Sequence, residues 1–148
     1  LPKTPPAEDR RVHNPFHFSI VAPPRWDWRV TPPKSDATAK YPTMALGPKK
    51  TFPRRCASIR IEKHAELSPD LSAYSPTSFQ GLPAFSEVET RPGTLDDSPF
   101  FSYSLFFQRS GDWYRLGYVG LLHQEELPPM VQRYLETFRV ESPVNQPP

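Results

Sequence analysis

His13 and His17 stand four residues apart, the spacing that sets two imidazoles on one face of a helix, ready for a metal ion. Pro15 lies between them and His17 alternates within a strand pattern, so they read as surface histidines. His64 and His123 fall at strand ends with no Cys or carboxylate cluster nearby in sequence. Asp96-Asp97 and Glu125-Glu126 are adjacent carboxylates, which point apart in a strand, whereas general acid–base work needs convergent groups. The glutamates precede a helical pattern, where they favour the positive end of its dipole. No serine occupies a G-x-S-x-G turn, and Gly111, Gly117 and Gly120 lack the spacing of a phosphate loop. The lone Cys56 has no partner for an internal disulfide and reads as a half-buried thiol beside a strand. The expectation is a chain without catalytic residues, cofactor or metal; an enzyme of unrecognised type stays as an alternative.

Aromatic side chains set among cations offer a different chemistry. Trp26 and Trp28 follow the Pro23-Pro24 break, and alternation puts both on one side of a resumed strand, with Arg25, Asp27 and Arg29 pointing elsewhere. With one tryptophan on the core, the candidate partner-binding patch is Trp28 with Arg29, Lys49, Lys50, Arg54 and Arg55, residue types enriched at interface hot spots. Charge supports an acidic protein partner. Through Arg55 there are 11 Lys and Arg against 4 Asp and Glu, a balance of +7; from Cys56 onward there are 7 against 12, a balance of −5. The same patch suits a polyanion or nucleic acid, since aromatics stack bases and cations neutralise phosphates. The overall charge of +2 argues against nucleic acid.

These residues need a scaffold, and 148 residues with 10 Phe, 6 Tyr and 3 Trp make one domain with an aromatic core. The 21 prolines rule out long uninterrupted helices, and no apolar run nears the ~20 residues that cross a bilayer. Phe16, Phe18 and Ile20 alternate as a strand. YPTMAL is apolar enough for another, and Ala57, Ile59 and Ile61 face one way while Ser58, Arg60, Glu62 and His64 face the other. Ser68-Pro69 and Ser75-Pro76 carry the cap-then-proline signature of two short helical turns, the second ending at Gly81. SEVET reads as a strand. Between 100 and 127 there is no proline, and RSGD joins two alternating runs into a hairpin: Phe101, Tyr103, Leu105 and Phe107 line one face, Tyr114, Leu116, Tyr118 and Leu122 the other strand's matching face. Leu127, Met130, Val131, Tyr134, Leu135 and Phe138 then recur at helical spacing, predicting a helix over about 128–138 packed on the sheet.

Residues 1–14 and 141–148 are polar and proline-rich and read as flexible extensions of a domain over 15–140. The start at Leu1 reads as a trimmed, processed chain, which leaves room for a removed leader and a lipid anchor in the precursor. The single cysteine fits a reducing compartment and equally an extracytoplasmic protein without disulfides. The oligomeric state stays open.

The opening FHFSIVAPPRW, the central strands, the aromatic hairpin and the closing LPPMVQRYLETFRV together resemble the Mog1/PsbP-like superfamily, over roughly 15–140. Trp26 matches the early tryptophan of that pattern, and Thr137-Phe138 the aromatic preceded by Ser or Thr that closes its last helix. The resemblance implies an α+β fold, an α/β/α sandwich around a twisted antiparallel sheet, with Trp26 against the core. It implies a binding or assembly module, of the kind found as extracytoplasmic bacterial lipoproteins, and carries over no catalytic residues.

Overall fold

Alternation of apolar and polar residues dominates the chain, and the backbone follows it. A computed structural model describes residues 8–33, 41–52, 57–64, 70–95, 99–120 and 126–141. A 3-10 turn at Glu8–Arg10 leads into β1 (Arg11–His13) and β2 (Phe18–Val21), followed by β3 (Trp26–Thr31), β4 (Thr43–Pro48) and β5 (Ser58–His64). Then come β6 (Ser75–Phe79), β7 (Leu82–Arg91), β8 (Phe100–Arg109), β9 (Asp112–Gly120), α1 (Pro129–Leu135) and β10 (Arg139–Val140). The strands form two antiparallel sheets, one ordered β1-β2-β10 and one ordered β3-β4-β5-β9-β8-β7-β6. The fold is mostly β, with one helix among the described residues. That helix is too short to cross a membrane.

The inner face of the seven-stranded sheet carries Met44, Leu46, Ile59, Ile61, Leu105 and Leu116, all buried. Phe18 and Ile20 of the small sheet, with Val131, Leu135 and Phe138 from the helical segment, complete the core. Phe138 has its ring 5.3 Å from Phe107, 5.1 Å from Tyr114 and 6.0 Å from Phe18. Thr137, one residue before it, ties the helix end to β2. Its hydroxyl donates to the Tyr134 carbonyl at 2.6 Å and accepts the Val21 N–H at 3.0 Å. Two hairpins close on residues of positive φ, Gln80-Gly81 (53° and 77°) and Ser110-Gly111 (53° and 85°), the pair of angles a two-residue type I′ turn demands.

Several expectations are corrected. Ser75-Pro76 begins no helix: Pro76 lies in β6 opposite Phe85, at the outer edge of the sheet, where a missing N–H leaves no ladder bond unmade. Ser68-Pro69 lies outside the described residues. The final helix is shorter than expected, because the chain leaves it after Leu135 and drops Phe138 into the core before β10. Glu126 precedes it and no acidic residue stands in its first turn. The described part of 1–14 is built in rather than free. Arg11, its side chain only 6% exposed, donates to Ser19 Oγ at 3.1 Å and to the Thr137 carbonyl at 2.8 Å. In the other extension, the Glu141 N–H donates to the His17 carbonyl at 2.7 Å and its carboxylate lies 2.7 Å from His13 Nδ1.

Candidate functional site

The outer face of the large sheet is where polar side chains converge. Register sets them in rows. Arg60 of β5 faces Gly117 of β9, which faces Ser104 of β8; one row along, Ser58, Val119 and Ser102 stand side by side, and in the row on the other side Glu62, Arg115 and Phe106. Gly117 has no side chain, so the middle row dips. The result is a groove of about 370 Å³ with Gly117 in its floor, Arg60 and Arg115 along it and Phe100 at its margin. A Cβ placed on Gly117 meets nothing nearer than the Tyr103 carbonyl at 3.7 Å and the Arg60 carbonyl at 3.8 Å.

Arg115 is held in place. Its guanidinium donates to Ser104 Oγ at 3.0 Å and lies 3.5 Å from Glu62 Oε1, the same oxygen that lies 3.1 Å from His64 Nε2. Burial alone would raise the Glu62 carboxyl, but the His64 contact and the charges of Arg115, His64 and Arg60 outweigh it and hold the group below its ordinary value. His64 belongs to the polar face yet is buried. Tyr41 stacks on its ring at 3.6 Å, Phe106 meets it edge-on at 5.3 Å, and Tyr74 packs on Phe106 at 5.3 Å. Ser104 is bonded to Arg115 and His64 to Glu62, so the hydroxyl and the imidazole are not a nucleophile–base pair. Among the described residues, Arg60, Ser58 and Ser102 spend none of their side-chain hydrogen-bonding capacity inside the chain. No three His, Cys, Asp or Glu side chains gather among the described residues.

Of the patch expected from sequence, Trp28, Arg29, Lys49 and Lys50 are among the described residues. Trp26, Trp28 and Val30 share the inner face of β3, with Trp26 and Val30 packed on the core and Trp28 43% exposed at the sheet's rim. Arg29, opposite Ala45, points to the outer face. Lys49 and Lys50 are exposed in the turn after β4, where the Lys49 N–H donates to the Arg25 carbonyl at 2.8 Å. Arg54 and Arg55 lie outside the described residues, as do Cys56, Asp96-Asp97, His123 and Glu125.

A larger cavity, of about 540 Å³, opens between Arg11, Arg109, Gln80, Thr137 and Arg139. Its guanidinium and amide groups are engaged within the chain. Arg11 and Arg139 share the Glu8 carboxylate, at 2.8 Å and 3.0 Å. Arg109 donates to the Phe79 and Gln108 carbonyls, both at 2.8 Å, over the Phe107 ring. Gln80 holds the Glu136 and Phe138 carbonyls. This is a clamp joining the two sheets, whereas in the outer-face groove Arg60, Ser58 and Ser102 make no side-chain hydrogen bond among the described residues.

The alternation of Ser58, Arg60 and Glu62 shows a polar strand face in the sequence, but only the pairing of β5 with β9 sets Arg60 beside Gly117 and Ser104. No family model matches the chain, and no curated protein matches it. In fold it is similar to a crystal structure from Bacteroides thetaiotaomicron VPI-5482, with a TM-score of 0.58 and 10% identity, over 94% of this chain and 51% of that one. The chain spans about half the length of that protein.

Proposed function

We propose that the chain is a non-catalytic binding module of the Mog1/PsbP-like kind, acting outside the cytoplasm, whose outer-face groove takes an extended acidic segment of a partner protein. One observation carries this: Arg60, which makes no side-chain hydrogen bond among the described residues, stands beside a groove floored by Gly117, and Arg115 is already oriented there by Glu62 and Ser104. A carboxylate entering the groove meets two guanidinium groups and the hydroxyls of Ser58 and Ser102. Support for the superfamily reading comes from the hairpin of β8 and β9 followed by α1, from Thr137-Phe138 closing the core and from Trp26 packed on it.

Fluorescence anisotropy with a labelled octa-glutamate peptide tests the proposal. Binding is expected to weaken as salt rises and to be lost in Arg60→Glu and in Gly117→Val, which fills the groove floor with a side chain suited to a strand. Melting temperatures of both variants should match the parent. Equal binding by Arg60→Glu refutes the groove, and tighter binding of a single-stranded oligonucleotide of the same charge makes the partner a nucleic acid.

A further inference from the structure

The strand β3 ends the large sheet, and among the described residues no strand pairs with its open edge; the Arg10 guanidinium reaches only its start, 3.4 Å from the Trp26 carbonyl. Its hydrogen-bonding phase is fixed by three contacts. The Lys49 N–H donates to the Arg25 carbonyl across the pair with β4, whereas the Trp26 N–H turns back to the Pro23 carbonyl and the Trp28 N–H to Asp27 Oδ1 at 2.9 Å. Odd-numbered residues therefore bond to β4 and even-numbered ones turn outward; Trp26 spends its N–H on Pro23 and its carbonyl on the Arg10 guanidinium, which leaves the backbone groups of Trp28 and Val30 to the open edge. Asp27, Trp28 and Arg29, the centre of the strand, are its exposed residues.

We propose that this edge pairs with the same edge of a second copy of the chain, antiparallel and centred on Trp28. Only backbone groups that face outward can bond, so the ladder must match even-numbered residues with even-numbered ones. That leaves three registers with substantial overlap. Centring on Asp27 sets Asp27 against its own copy, and centring on Arg29 sets Arg29 against its own copy. Like charges directly opposite each other destabilise a ladder. Centring on Trp28 instead sets Asp27 against Arg29 of the other copy, twice by symmetry, on the outer face. On the inner face it sets Trp28 against Trp28 and Trp26 against Val30. The Trp28 N–H and carbonyl then bond to those of the other copy, and Asp27 exchanges its hold on the Trp28 N–H for the guanidinium opposite. The opposite edge of the sheet, β6, carries Pro76 and is unsuited to such pairing. The two-fold axis runs through the sheet, so the interface is isologous and closes at two copies.

Sedimentation equilibrium on the full chain, from micromolar to submillimolar concentration, reads the result. The parent is expected to dimerise, with tryptophan emission moving to the red on dilution as Trp28 meets water. Asp27→Arg and Arg29→Glu each put like charges across both symmetric positions and should raise the dissociation constant about tenfold or more. The double variant Asp27→Arg with Arg29→Asp restores unlike pairs and should restore the dimer. Val30→Pro removes an outward N–H without touching the ladder to β4 and should yield a folded monomer. A parent that stays monomeric throughout overturns the proposal. So does a dimer indifferent to the single reversals, and so does a failure of the double variant, if folded, to recover.

Discussion

Replacing Tyr114 by Phe should make the protein more stable. The Tyr114 ring is fully buried, 5.1 Å from Phe138, 5.9 Å from Phe18 and 6.0 Å from Phe107, and its hydroxyl finds no hydrogen-bond partner among the described residues. A buried unpaired polar group costs about 1–3 kcal/mol. Against this stand the oxygen's dispersion contacts, each only ~0.1–0.2 kcal/mol. The ring contacts survive in phenylalanine, so the variant should gain roughly 1 kcal/mol, or about 2–4 °C in melting temperature for a chain of this size. Urea denaturation at neutral pH measures it.

Alkaline pH supplies an independent reading. Burial, and then the charge of Asp112, push the Tyr114 hydroxyl from 10.0 up to about 12. Between those values the unfolded chain gives up this proton and the folded chain keeps it, so stability falls as pH rises through that window. The contribution is fully present below the lower value, and its loss amounts to on the order of 2–3 kcal/mol. Subtracting the curve of Tyr114→Phe from that of the parent cancels the other titrating groups and isolates the decline. A variant less stable than the parent at neutral pH, with no difference emerging above pH 10, would refute the reasoning, since the hydroxyl would then have a partner.

Phe138→Ala, which empties the junction of Phe18, Phe107 and Tyr114, should cost about 3–5 kcal/mol in the same denaturation assay; a loss below ~1 kcal/mol would remove Phe138 from the core. At Gly111, with φ of 85° and nothing within 4 Å of an added Cβ, substitution by Ala should cost roughly 1–2 kcal/mol through backbone strain alone. A neutral result there would show that the β8–β9 turn adjusts freely. Glu62 ionises below its ordinary 4.5, so the stability it supplies is present above that value and is lost as pH falls through the lower folded value. Glu62→Gln should therefore be less stable than the parent near neutrality, with the gap narrowing in acid; a constant gap would mean that Glu62 contributes by packing alone.

The parts of this fold legible in the sequence are those whose partners are near in the chain. The hairpin of β8 and β9 needs only two alternating runs and Ser110-Gly111 between them, and all three signals lie within about twenty residues. That Trp26 and Trp28 share one face follows from alternation once β3 exists, whereas their different burial depends on what packs against that face. What stayed hidden depends on distant partners. The serine-then-proline of Ser75-Pro76 suits a helix start and an edge strand equally well, and only the finished sheet makes β6 an edge. RVH at 11–13 is too short for periodicity to declare, and it becomes a strand because β2 lies against it. The groove depends on β5 meeting β9, more than fifty residues away in sequence. A strand face can thus be read as polar from its own residues, but not which polar residues it will join.

The groove and the open edge, if both proposals hold, constrain each other. A two-fold axis through the sheet keeps both outer faces on the same side, so the dimer presents two grooves in one plane. From β9 through β5 and β4 to β3, and on through the second copy, there are seven strand spacings of ~4.8 Å, which sets the grooves roughly 34 Å apart. An extended chain covers that in about ten residues at ~3.4 Å each. A peptide with two acidic blocks separated by about ten neutral residues can therefore engage both grooves, and linked binding strengthens affinity by roughly 10²–10⁴-fold without new contacts. The single-block peptide gains nothing from dimerisation. In the Val30→Pro monomer, the two peptides should bind almost alike, while on the parent dimer the two-block peptide should bind far more tightly. Equal affinities on a parent verified as a dimer would break the link between groove and edge, leaving each to stand on its own test.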